Sequence, residues 1–322
     1  MIDALDDTTD ERDLPRTTAG ASSNEGWQQR LEEIGEEDGY FQPLGTHHWA
    51  FFVDESPTLL VSFETAASLR ASPEGLPAGL VEARKHGWSH LCLIAEGETW
   101  WRDPAVYRFF DRQVDDAFFE DFDRVVFYGA GMGAYAACAF SVTAPGATVI
   151  AVQPVATLDP GIASWDRRHR AARRLCFTDR YGYAPDMTEG AGDVFVLFDP
   201  HQPYDAIHAA LFTRPWVTPL RCRHVGPEVE KSLRQMDVLP QLIAAAGRGA
   251  LSVDLFGRAF RARRENAPYL RRVVTILDQI GRPGLAAQAA RSILKRIDAP
   301  RIRQKLADIE GRPPKAAAPA AG

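Results

Sequence analysis

The residues best placed to do chemistry lie in Gly129-Ala130-Gly131-Met132-Gly133, between the apolar run Arg124-Val125-Val126-Phe127-Tyr128 and the small residues from Ala134 to Phe140. An apolar run that stops at glycines and resumes as an Ala-rich stretch is a strand-turn-helix unit, because glycine tolerates the positive φ and close helix approach such a turn needs. Two chemistries use that shape. One is a nucleophile elbow, G-x-S-x-G, with Gly131 standing at the nucleophile position; the other is a dinucleotide-binding turn, G-x-G-x-x-G/A, met by Gly129, Gly131 and Ala134. Asp199 and His224 each follow a later strand-like run, so the chain keeps a Ser, Asp, His succession with the serine replaced. Without a hydroxyl at position 131, no acyl-enzyme can form there. The dinucleotide reading would imply a nucleotide-dependent oxidoreductase. It needs an acidic residue about 20 positions on to hold the ribose, and the next strand ends at Gln153 instead.

A second grouping is cationic. Arg167, Arg168, His169, Arg170, Arg173, Arg174 and Arg180 fall between Trp165 and Tyr181, shortly after a strand. Guanidinium groups hung over a strand-end crevice suit a sulfate, phosphate or carboxylate, so an anionic small molecule is the expected ligand. The plainer reading is a solvated basic helix in an acidic chain. No metal site is expected: Cys92, Cys138, Cys176 and Cys222 form no C-x-x-C pair, and His47-His48 lacks the spacing of a metal pair. No cofactor is expected either.

The elements that must position these residues alternate. Strand-like runs cover His48 to Val53, Thr58 to Phe63, His90 to Ala95, Arg124 to Tyr128, Thr148 to Val152, Asp193 to Phe198 and Pro219 to His224. Helical patterns cover Gly26 to Asp38, Leu76 to His86, Pro104 to Phe122, Ala206 to Phe212 and Glu228 to Ala246. Continuous apolar strands alternating with helices predict an α/β fold, a mainly parallel doubly wound sheet covered on both faces. After Leu251 the strand signal ends, and helical segments around 252–264, 268–280 and 283–297 predict a helical appendage suited to protein contacts. The expected organisation is a disordered tail over 1–24, the α/β domain over 25–247, a helical hairpin region over 248–310 and a second tail over 311–322.

Composition narrows the partners. A formal net charge of -6 gives no long-range attraction to nucleic acid or anionic membranes. The acidic amino terminus lacks the basic and apolar regions of a secretory signal, and no apolar run nears the roughly 18 residues that span a bilayer. A cytoplasmic protein is expected.

Over roughly residues 45–247 the chain resembles the α/β-hydrolase superfamily, as a degenerate member with Gly131 in place of the nucleophile. The resemblance implies that Phe63, Glu64 and Thr65 form the oxyanion loop after the third strand, that the Met132 N–H completes the oxyanion hole, and that Asp199 orients His224. Through His48 to Arg70 and Arg124 to Ser141 the chain also resembles bacterial proteins often labelled phosphoadenosine phosphosulfate reductases, which implies an enzyme for a sulfated or phosphorylated substrate. The S-G-G-K-D-S-like loop of such reductases is not in this sequence, and no cysteine follows Cys222. The leading expectation is therefore a degenerate hydrolase-like protein that binds an anionic small molecule or a protein partner at the strand-end crevice. An active enzyme that uses His224 on a bound water or group is the alternative.

Overall fold

A computed structural model describes residues 24–72 and 75–311 of the chain. The two predicted tails fall outside the described residues, apart from their innermost positions at 24 and 311. Among the described residues, eight strands form one sheet in the order β1-β2-β4-β3-β5-β6-β7-β8. They are β1 Gly39–Leu44, β2 His48–Val53, β3 Thr58–Thr65, β4 Ser89–Ala95, β5 Arg124–Ala130, β6 Thr148–Val152, β7 Asp193–Phe198 and β8 Val217–Arg221. β1 and β2 pair antiparallel, β2 is antiparallel to β4, and β4, β3, β5, β6, β7 and β8 run parallel. This is a mainly parallel, doubly wound sheet of the predicted α/β class, covered by helices on both faces, with further helices at the carboxyl end.

The strands are buried on both sides because alternate side chains enter different cores. Val125 and Phe127 join the cluster that holds the helices Pro104–Asp115 and Met132–Phe140, whereas Val126 and Tyr128 join the cluster under Val229–Gln235, Val238–Gly247 and Val253–Ala259. The helices Asn24–Asp38, Ala66–Ala71 and Ala78–Arg84 cover Phe51, Cys92 and Ile94. A separate cluster of Leu270, Val274, Ala286, Ala290 and Ile302 binds Ala267–Gln279, Pro283–Leu294 and Pro300–Glu310 into a three-helix unit, one helix more than the predicted hairpin.

Several boundaries differ from expectation, each for a backbone reason. Pro104 to Phe122 ends as an α-helix at Asp115, since Ala117 takes a φ of 57° that a right-handed helix cannot contain. Asp237, at 54°, likewise splits the closing helix in two. The sequence reading gave no strand over Gly39–Leu44; Pro43 argues against a central strand and is accommodated because β1 lies at the sheet edge. β8 starts at Val217 and stops at Arg221, before His224, whose φ of 64° turns the chain out of the strand. Among the described residues no helix is long and apolar enough to cross a membrane.

Candidate functional site

The turn after β5 has the geometry of an elbow. Gly131 adopts φ 54° and ψ -115°, caps the helix Met132–Phe140, and donates its N–H to Val152 O at 2.9 Å. The flanking glycines are dictated by packing: a Cβ on Gly129 would run into the Gly133 carbonyl and stand 2.7 Å from Ala134 N, and one on Gly133 would run into the Phe63 carbonyl. A Cβ on Gly131 would meet nothing within 4 Å. Packing therefore demands glycine at 129 and 133, the positions that flank an elbow apex, and the apex itself has room for a side chain that the sequence does not supply.

Beside the apex lies a cavity of about 250 Å³ lined by Phe63, Glu64, Thr65, Ser68, Ser72, Leu76, Ala78, Trp101, Tyr128, Ala130, Met132, Gly133, Glu230 and Arg234. Three predicted ligand-binding residues, Glu64, Thr65 and Met132, are thus brought together. The Glu64 carboxylate accepts from Ala78 N and Gly79 N, each at 2.8 Å, and from Ser62 Oγ at 3.0 Å. Burial raises its pKa against the pull of these donors and of Arg234. Thr65 N–H donates to Ser68 Oγ at 3.1 Å in a capping box, so this N–H of the expected oxyanion loop is already engaged. Met132 sits at the first helical position, where its N–H has no intrahelical partner, and its sulfur accepts from Trp100 N at 3.2 Å.

The wall opposite Glu64 escaped the sequence reading. Tyr128 donates its hydroxyl to Glu230 at 2.5 Å, Arg234 Nη2 donates to Tyr128 at 2.9 Å, and Arg234 Nε donates to Glu230 at 3.0 Å. Glu230 and Arg234 are legible as an i,i+4 pair, but nothing local says that the pair reaches β5. Trp100 and Trp101 were missed too. Consecutive φ values of 55° and 52° put both in a conformation costly for aromatic residues, and the packing of Trp101 on Phe63 at 5.4 Å holds it there.

Asp199 and His224 lie on the same carboxyl edge, yet the carboxylate does not bond the imidazole. Asp199 accepts three main-chain N–H groups, from His201 at 3.0 Å, His224 at 3.2 Å and Gly226 at 2.7 Å. The expectation that Asp199 orients the His224 ring is corrected to a role as anchor of the 224–226 turn. The His224 ring stacks on His201 with centroids 4.1 Å apart, and its buried Nδ1 has no hydrogen-bond partner. Burial, then the His201 charge, lowers its pKa. After β8 the chain steps along the edge: His224 at Asp199 beyond β7, Val229 N–H on Gln153 beyond β6, Glu230 on Tyr128 of β5. His224 is thus placed two strands, roughly 10 Å, from the elbow strand. Because Asp199 is buried, Asp199→Ala should leave those three donors unmet and cost about 2–4 kcal/mol in urea unfolding. A loss below about 0.5 kcal/mol would count against the anchor role.

The arginine segment is largely tied down. Arg168 donates to Asp166 at 2.8 Å and to Asp205 at 2.6 Å, and Arg173 donates to the carbonyls of Ala163, Ser164 and Asp166. Asp166 also accepts from His208 Nε2 at 3.0 Å, with His208 Nδ1 accepting from Ala156 N–H. Burial pushes the Asp166 carboxyl up, but Arg168 and His208 together hold it down to about 2. The expectation that Arg168 and Arg173 hang free over the crevice is corrected: Arg168 is paired with Asp166 and Asp205, and Arg173 Nη2 is taken up by three carbonyls while its buried Nε has no partner. Arg167 and Arg170 are exposed, and neither lines the cavity.

No protein-family model matches the sequence, and no curated protein does either. Solved structures similar to it include the capsule O-acetyltransferase of Neisseria meningitidis serogroup A, with TM-score 0.41, 10% identity, and coverage of 62% of this chain and 93% of that one. An esterase of Pyrococcus furiosus aligns with TM-score 0.38, 14% identity and coverage of 66% and 88%. The fluorophosphonate-binding serine hydrolase F of Staphylococcus aureus aligns with TM-score 0.41, 9% identity and coverage of 65% and 96%.

Proposed function

We propose that this protein uses a hydrolase-type crevice for binding and not for serine-type acyl transfer. The observation that carries the reading is the empty apex of the elbow: Gly131 holds the nucleophile's backbone position with open space above it and no hydroxyl. The committed Asp199 carboxylate supports it, since a serine there would lack a base oriented by that carboxylate, and within the expected oxyanion loop the Thr65 N–H is engaged in a helix cap. The charge of the crevice bears on the ligand. With Glu64 and Glu230 against Arg234, and the hydroxyls of Thr65, Ser68 and Ser72 nearby, the cavity favours a small, donor-rich molecule, a polyol or amine, over the anion suggested by the arginine-rich segment. Exposed Ile280 and Leu285 on the carboxyl-terminal helices are consistent with the expected protein contacts.

Three measurements test this. A thermal-shift screen should give stabilisation by polyols or amines, about 2.7 kcal/mol at a hundred times Kd, that weakens in Glu230→Gln. Stabilisation by sulfate esters or nucleotides alone would overturn the ligand class, and substrate turnover abolished by His224→Ala would overturn the binding reading itself. Gly131→Ser should fold, because the new side chain has space, and should remain unlabelled by a fluorophosphonate. Rapid labelling would show that a working base reaches the apex.

A further inference from the structure

We propose that Glu64, His90 and Cys92 form a binding site for one thiophilic divalent cation, Zn²⁺ by preference, which enters from the crevice. The parallel register of β3 and β4 sets Leu60 beside His90 and Ser62 beside Cys92, so the alternate positions 62, 64, 90 and 92 share one face. One ligand atom each from Glu64, His90 and Cys92 lies within 4.8 Å of the others. Three such donors leave a point no more than about 2.8 Å from each where an ion can sit, and small side-chain movements close that to about 2.0–2.3 Å, the range typical of zinc. A carboxylate, an imidazole and a thiolate match zinc's borderline softness, and three protein ligands leave a fourth position open.

A second observation is independent of the clustering. The His90 ring is fully buried, and its Nδ1 has no hydrogen-bond partner, an arrangement that a protein interior tolerates poorly. Ser62 Oγ stands between the prospective ligands, 3.0 Å from Glu64 Oε1 and 2.9 Å from His90 Nε2, and holds them together without an ion. Ligation by Cys92 requires its thiolate, so binding must move a proton. The sulfur–metal bond forms as the S–H bond breaks, the proton leaves to solvent, and no electrons are transferred. Glu64 lines the 250 Å³ cavity and gives the ion a route inward.

The test is a Co²⁺ and Zn²⁺ titration of the full chain after EDTA treatment. The expected result is a thiolate-to-cobalt charge-transfer band saturating at one equivalent, displaced by Zn²⁺, with release of about one proton per ion. The band should vanish in Cys92→Ser and persist in Cys176→Ser, and Glu64→Gln should weaken Zn²⁺ binding at least tenfold. No saturable binding would overturn the proposal, as would a band that is lost only in Cys176→Ser, the variant of the exposed cysteine. Should Cys92→Ser fail to fold, unchanged Zn²⁺ affinity in Glu64→Gln would overturn it equally well. The outcome is separable from the binding reading above, which needs no metal.

Discussion

Gly133→Ala is expected to abolish or severely impair folding, whereas Gly131→Ala, two residues away, yields a folded protein. At Gly133 the added methyl would overlap the Phe63 carbonyl oxygen and stand 3.4 Å from the Phe63 Cβ, and neither can yield alone. Phe63 belongs to β3, paired with β4 on one side and β5 on the other, so relief requires lifting the elbow helix off the sheet. That helix is buried along nearly its whole length, from Gly133 to Phe140. Backing it away from the sheet would open voids on both sides; together the terms exceed about 3 kcal/mol, a large share of the roughly 5–15 kcal/mol that holds a domain. At Gly131 the only cost is the left-handed backbone, about 1–3 kcal/mol. Soluble yield and urea midpoints of the two variants side by side decide the matter. Equal stabilities would mean that the Gly133–Phe63 approach is looser than described.

Stability should fall steeply as the pH drops from 6.5 towards 4.5. His48 and His90 are both buried, and burial lowers their pKa values to about 4 and about 3, from 6.5 in the unfolded chain. Within that window the unfolded chain takes up two protons that the folded chain refuses. Their contribution is complete above pH 6.5 and is lost as the pH falls through the window, amounting to about 5 kcal/mol for the pair near pH 4.5. His169, His208 and His224 are shifted in the same direction and add to the slope. Glu64, whose carboxyl is raised by burial, works against it and offsets a part. Urea unfolding followed in EDTA across this range should show the midpoint dropping with a slope of at least one proton, and His90→Gln should flatten it. A midpoint unchanged between pH 7 and 5 would contradict the buried, neutral state of these rings.

Much of this architecture is written locally. The strands Thr148–Val152 and Asp193–Phe198 were readable to the residue, because apolar runs flanked by glycine or aspartate leave a sheet strand few alternatives. The elbow was readable because three glycines at alternate positions after a strand answer three separate backbone demands. Where Asp199 and His224 fall along the chain also put both on the carboxyl edge, where the sheet does place them. What their side chains do there was not legible: whether a carboxylate takes an imidazole or three main-chain N–H groups depends on the path of the 224–226 turn, which no residue pattern specifies.

The sequence by itself determined most of the alternation of strands and helices, the glycine turn after β5 and the absence of a hydroxyl at its apex, since these depend on contacts a few residues apart. The tertiary structure alone decided which side chains share a pocket. Glu230 and Arg234 reach Tyr128 across about a hundred residues of chain, Arg168 and Arg173 turn inward to Asp166 and to carbonyls, and Glu64, His90 and Cys92 converge only because β3 and β4 pair in one register. The physical reason is one of range. Backbone conformation is set largely by each residue and its near neighbours, whereas ion pairs and ligand sets are chosen by whatever the packed sheet brings within a few ångströms.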